Sequence, residues 1–158
     1  MEHDLFKEIL SRHISGVTVV TTLYEGAHYG FTASSVTSVS LEPPLLLFCI
    51  DKKAGGYNSF ARCEQFAINF LASNQIEVGI NFAKKDLDKF KFVKLISHEN
   101  EIPILEGTCG YIILEKQSVF DAGDHSIITG RATTGFASYE KIGPLAYAGR
   151  KFIPIEQF

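Results

Sequence analysis

The chain has 158 residues, 46% hydrophobic and 21% charged, which excludes a disordered or collagen-like polymer and fits one domain. A domain of this size buries roughly 70% of its unfolded surface and needs no disulfide or structural metal to hold a core. Eighteen Asp and Glu outnumber fifteen Lys and Arg, a net charge of −3, so no overall basic field argues for nucleic acid.

The start, Met-Glu-His-Asp, has neither a basic nor an apolar region of the kind a secretory signal needs. The longest apolar run, Leu45–Ile50, is far shorter than the ~20 residues of a membrane span. Three scattered cysteines, Cys49, Cys63 and Cys109, show no CxxC pairing and read as buried free thiols in a reducing compartment. A cytoplasmic protein is expected.

In chain order, Asp4 is placed to cap a short helix with an apolar face of Leu5, Phe6, Ile9, Leu10 and His13, ended by Gly16. Val17–Leu23, rich in Val and Thr, reads as a strand, and Glu25-Gly26 turns the chain into a second extended stretch, His28–Ser40. After Pro43-Pro44, Leu45–Ile50 reads as a strand buried on both faces. Asn58–Cys63 suits one or two helical turns and Gln65–Leu71 a strand. From Asn74, a plausible cap, to Lys84 the spacing of Ile76, Ile80 and Ala83 is helical. Residues 93–107 look irregular. Gly110–Phe120 and His125–Ala137 are long strands joined by the turn Asp121-Ala122-Gly123-Asp124, and Leu145–Ile155 is a final strand. About seven strands linked mostly by turns, with two or three short helices, point to an antiparallel barrel. Neither GxGxxG nor a Walker loop occurs, which argues against Rossmann and P-loop enzymes.

Three features could carry chemistry. Six of the nine residues from Thr32 to Ser40 bear hydroxyls, either one wet face of a strand or a row of small donors beside a flat polar ligand. Of 11 lysines, five fall in Lys84-Lys85-Asp86-Leu87-Asp88-Lys89-Phe90-Lys91-Phe92-Val93-Lys94, and Lys52-Lys53 precede Ala54-Gly55-Gly56. These are a solvated face or, with exposed glycine N–H groups, a phosphate cradle. Gly123-Asp124-His125 sits at a turn. His3, His13, His28, His98 and His125 show no zinc spacing, and no GxSxG elbow is present. The lack of an evident nucleophile or acid pair favours chemistry carried by an organic cofactor.

Taken in order, the segments resemble the small flavin-reductase family, the reductase components of two-component flavin monooxygenases. The residues carrying the resemblance are Ser15–Thr22, Gly30–Ser35, Ser38–Leu45, Phe66–Leu71, Phe82-Ala83, Asp88-Lys89-Phe90, Gly123-Asp124-His125 and Pro144–Tyr147, nearly the whole chain. The resemblance implies a mainly β fold, an antiparallel Greek-key split β-barrel, as a single domain over 1–158. It implies a homodimer with flavin near the interface, and reduction of FMN or FAD by NADH or NADPH for a separate oxygenase component.

Carried over residue by residue, it has Thr32, Ala33, Ser34 and Ser35 line the isoalloxazine, with Cys49, Ile50 and Asp51 flanking it. Lys53, Gly55, Gly56, Asn81, Phe82, Ala83 and Lys89 would hold the ribityl phosphate, and His125 and Tyr147 would face the nicotinamide. Hydride transfer needs stacked rings in a dry slot, which small side chains at Ala33–Ser35 permit. Two departures stand out: Ala54-Gly55-Gly56 replaces the family's hydroxyl residues, and Phe92 stands where a tryptophan often follows Asp-Lys-Phe. Two other readings share these residues, an FMN-carrying electron-transfer flavoprotein of the same fold and a non-catalytic ligand-binding barrel.

Overall fold

The computed structural model describes residues 1–85, 88–96 and 101–156. Asp86, Leu87 and His98, singled out above, lie outside them. The chain opens with helix α1 (His3–Ser11), then strands β1 (Ser15–Gly16), β2 (Thr18–Tyr24), β3 (Ala27–Ala33), β4 (Thr37–Leu41) and β5 (Pro44–Asp51). Helix α2 (Tyr57–Arg62), strand β6 (Gln65–Phe70), helix α3 (Ile76–Ala83) and a 3-10 turn (Lys89–Phe92) follow. Short strands β7 (Leu95–Ile96) and β8 (Ile104–Leu105) precede the long pair β9 (Gly110–Ala122) and β10 (His125–Ala137), then β11 (Leu145–Ala148) and β12 (Lys151–Pro154).

Seven strands form one antiparallel sheet in the order β3-β2-β6-β9-β10-β5-β4. Laid flat, seven strands would put its two edges about 29 Å apart at ~4.8 Å per strand. Yet the edge strands β3 and β4 are consecutive in the chain, and the step from Ala33 to Thr37 reaches at most about 14 Å. The sheet must therefore curl on itself. Closure stops short of a ladder, since β3 pairs with β2 alone. Phe31 instead packs on Phe48 at 5.8 Å, and the Ser35 hydroxyl both accepts from Cys49 N–H (3.0 Å) and donates to Cys49 C=O (3.2 Å). The barrel is split along this seam.

Inside, Phe48, Phe60 and Phe66 are fully buried with Val20, Ile68, Leu114 and Ile128. Phe48 meets Phe60 and Phe66 edge to face at 5.9 and 5.1 Å, a geometry worth about 0.5–1.5 kcal/mol per pair beyond burial. Buried polar groups are paired: the Asn69 amide donates to Val19 C=O and accepts from Leu105 N–H, and Thr21 donates to Pro103 C=O. A second sheet, β1-β11-β12, packs α3 and Phe152 against Val17, Leu71 and Leu145.

Several expectations are revised. The extended stretch His28–Ser40 is two strands, broken at Ser34–Val36 where the chain crosses the seam. β5 is not buried on both faces: Phe48 and Ile50 are buried, with Leu46 half-buried against the same core, whereas Leu45, Leu47 and Cys49 are half-buried because the outer sheet face is uncovered in one chain. Glu2, not Asp4, precedes α1, without a side-chain cap, and Gly16 lies in β1 opposite Ala146. The apolar face of α1, with Leu5, Phe6, Ile9 and Leu10, is about half exposed. Gln75, not Asn74, precedes α3, its side-chain oxygen accepting from Ala72 N–H.

Residues 93–107 contain β7 and β8, and the last stretch is a hairpin turning at Gly149-Arg150, both at positive φ. Twelve strands replace the expected seven among the described residues. The additions are mostly of two to four residues, too short for a periodic signal. Of the thiols, Cys63 is buried and Cys49 and Cys109 are half-buried; all are free. No helix among the described residues is long and apolar enough to cross a membrane.

Candidate active site

The seam between β3 and β5 opens into a cleft of about 750 Å³, within the usual range for small-molecule sites. Several stretches of the chain line it. Residues 28–35 come from the free edge of β3 and the link beyond it, Cys49, Ile50 and Asp51 from the end of β5, and Lys53–Gly56 from the turn before α2. Phe82–Lys85, Asp88, Lys89 and Phe90 form the opposite wall, and His125 stands at one end.

β3 is pleated, so alternate residues serve different layers. Phe31 and Ala33 face the barrel core, while Gly30 and Thr32 face α3. Gly30 is glycine for contact reasons: a Cβ there would stand 2.7 Å from the buried Phe82 ring and 3.0 Å from Phe90. Phe82 and Phe90 pack edge to face at 5.2 Å, and Phe90 meets His28 at 5.4 Å.

Two expected donors are already engaged. Thr32 Oγ1 donates to Gly79 C=O at 2.6 Å, fastening α3, and Ser35 Oγ closes the seam. The backbone N–H groups of Ser34, Ser35, Gly55 and Gly56 have no hydrogen-bond partner among the described residues. Neither Gly55 nor Gly56 has positive φ, and a Cβ on Gly55 would meet nothing within 4 Å. The backbone does not demand glycine there; the space beside Gly55 is open to a ligand.

Four lysines (Lys53, Lys84, Lys85 and Lys89) face two aspartates (Asp51 and Asp88), an excess of positive charge in an acidic protein. Asp51 accepts Lys53 N–H at 2.8 Å and shapes the turn. Lys89 Nζ donates to Gly30 C=O (3.0 Å) and Phe82 C=O (2.9 Å), and burial pushes its pKa below the ordinary lysine value. It ties the 3-10 turn to β3 and α3, with one N–H left without a partner among the described residues. Free backbone donors, open glycine space and surplus ammonium charge suit a phosphate-bearing planar ligand such as a flavin nucleotide.

The cleft brings together His125, Thr32, Ala33, Ser34, Ser35, Cys49, Ile50, Asp51, Lys53, Gly55, Gly56, Phe82, Ala83 and Lys89. Asn81 and Tyr147 do not line it. Asn81 accepts from Lys84 Nζ at 3.0 Å, and Tyr147 belongs to the second sheet, opposite Ser15 and packed on Phe152 at 5.3 Å. Phe92 is exposed and outside the cleft; Phe90 takes the wall position. His28, Tyr29, Phe60, Lys84 and Lys85 line it without having been named as ligand-binding residues. The lysine concentration flagged the last two, whereas nothing in the sequence marks Phe60 as reaching the seam.

Residues 10–156 match the flavin reductase like domain. The chain is 35% identical over 125 residues to the flavin-dependent monooxygenase reductase subunit HsaB of Mycobacterium tuberculosis, covering 79% of this chain and 67% of that protein. It is 38% identical over 149 residues to the reductase component of the flavin-dependent trigonelline monooxygenase of Acinetobacter baylyi, covering 94% of this chain and 48% of that protein. The structure of the Streptomyces globisporus NADH:FAD oxidoreductase SgcE6, solved with NAD and FAD fragments, superposes with a TM-score of 0.91 at 27% identity. That match covers 98% of this chain and 93% of the other. The chain therefore belongs to the flavin reductase-like family, and it is an oxidoreductase that reduces flavin with a nicotinamide nucleotide.

Proposed function

We propose that this reductase binds FMN or FAD in the β3–β5 cleft, takes hydride from NADH or NADPH, and releases reduced flavin to a separate oxygenase. The observation that carries the reading is the cleft itself, a strand edge of small residues with unpaired N–H groups at one end and a lysine-rich glycine turn beside it. Bound there, flavin supplies the two-electron acceptor chemistry.

The chain's own groups bind and orient. Ser34 and Ser35 N–H point donors at the ring's polar edge, where negative charge grows on reduction. Lys53, Lys84, Lys85 and the N–H groups of Gly55 and Gly56 hold the phosphate, and Lys89 adds charge while fixing the wall. Phe82 and Phe90 keep that wall apolar, and His125 meets the nicotinamide. Tyr147 and Asn81 have no part in the cleft of one chain.

A second copy of the chain covers the outer sheet face, where Cys49, Ile127 and Phe120 form one row beside Leu45 and Leu47. Phe120 is 54% exposed. The row ends at the cleft, so a dimer along it would also shield bound ligand from water.

Fluorescence titration of Lys53→Ala with FMN and with riboflavin tests the phosphate assignment. FMN should lose roughly tenfold in affinity, about 1.4 kcal/mol, and riboflavin less than about twofold. Equal losses would put the phosphate elsewhere.

A further inference from the structure

The β9–β10 hairpin turns on two residues, Gly123 at φ +64° and Asp124, because Ala122 already pairs with His125. This tip is tied to the end of β5. Lys52 N–H donates to Asp124 C=O at 3.0 Å, Lys52 Nζ donates to Gly123 C=O at 2.5 Å, and the same ammonium pairs with the Asp121 carboxylate. The backbone leading into His125 is thereby fixed.

The Asp124 side chain reaches the next residue: its Oδ1 lies 2.7 Å from His125 Nδ1. An ionised carboxylate only accepts hydrogen bonds, so Nδ1 must carry the proton, and neutral imidazole then keeps its lone pair on Nε2. Three other charged groups nearby, Asp51, Lys52 and Asp121, are engaged elsewhere. Asp51, opposite His125 in the ladder, accepts Lys53 N–H, and Lys52 holds Asp121. No other side chain bonds the ring among the described residues.

We infer that Asp124 is a positioning residue that holds His125 as its Nδ1–H tautomer, so that Nε2 accepts the carboxamide N–H of the nicotinamide. The inference rests on the reading that His125 meets the nicotinamide. The Asp124 carboxyl is held below the ordinary aspartate range by the hydrogen bond from His125 and then by attraction to it, with Lys53 adding to the effect. The carboxylate is thus charged at neutral pH. An exposed hydrogen bond of this kind matters for direction rather than stability, because water competes for both partners.

The test uses the full chain and Asp124→Ala, a change at an exposed turn that removes no core contact. Histidine-labelled 15N spectra, recorded at about pH 8 where imidazole is neutral, read the tautomer without ligand. Steady-state kinetics with FMN in excess read the consequence. His125 should move from Nδ1–H toward Nε2–H. The KM for NADH should rise about tenfold, with kcat and flavin affinity within twofold. An unmoved tautomer overturns the role of Asp124 and leaves the reductase reading standing. A moved tautomer with unchanged KM overturns both this inference and the placing of nicotinamide at His125. Weakened flavin binding in place of a KM effect would also overturn it.

Discussion

Gly30 shows how one residue can set the shape of a site. Its missing side chain lets the Phe82 and Phe90 rings lie against β3 and form the cleft wall. Gly30→Ala should destabilise the fold by about 1–3 kcal/mol, as overpacking does, because the fully buried Phe82 has nowhere to move. Urea unfolding would measure this, and an unchanged midpoint would mean the wall is looser than described.

Of the three thiols Cys49 lines the cleft, whereas burial pushes the Cys63 and Cys109 thiols up and keeps them protonated at neutral pH. The sequence made Thr32 and Ser35 legible as hydroxyls near a ligand. It could not tell that α3 and Cys49 would engage both, since partners 47 and 14 residues away leave no local signal.

Among elements, the decisive one is the link Ser34–Val36, which joins the two edges of the large sheet. Strand identity was largely readable from composition, as for β6, β9 and β10, because alternation and Val/Ile/Phe enrichment are local properties. The break in the second extended stretch was not, because it arises where the sheet closes. Ser35→Ala should cost about 1–3 kcal/mol, since Cys49 N–H and C=O both lose their seam partner.

The 3-10 turn behaves similarly through Lys89. Lys89→Met strips the donor from Gly30 C=O and Phe82 C=O, so FMN and riboflavin should both bind more weakly. FMN should lose at least about threefold more, reflecting the charge lost beside the phosphate. A variant that binds both like wild type would return Lys89 to a surface role.

At the scale of the molecule, the single chain leaves two apolar surfaces half covered, the outer face of α1 and the Cys49–Ile127–Phe120 row. A second copy on the row would yield a particle of twice the 17.5 kDa chain mass in light scattering, and Phe120→Asp should return it to one chain. A wild-type monomer would leave the cleft to a single chain.

The same openness bears on what the protein does with flavin. The contacts of a solvated lysine-rich turn are salt-sensitive and modest, which favours micromolar affinity and exchange between turnovers over the nanomolar grip of a carrier. The most direct measurement is anaerobic: protein at catalytic concentration, NADH and a large excess of FMN, following flavin bleaching with no partner protein present. Reduction of many flavin equivalents per chain is the predicted result, and bleaching that stops at one equivalent per chain would contradict it.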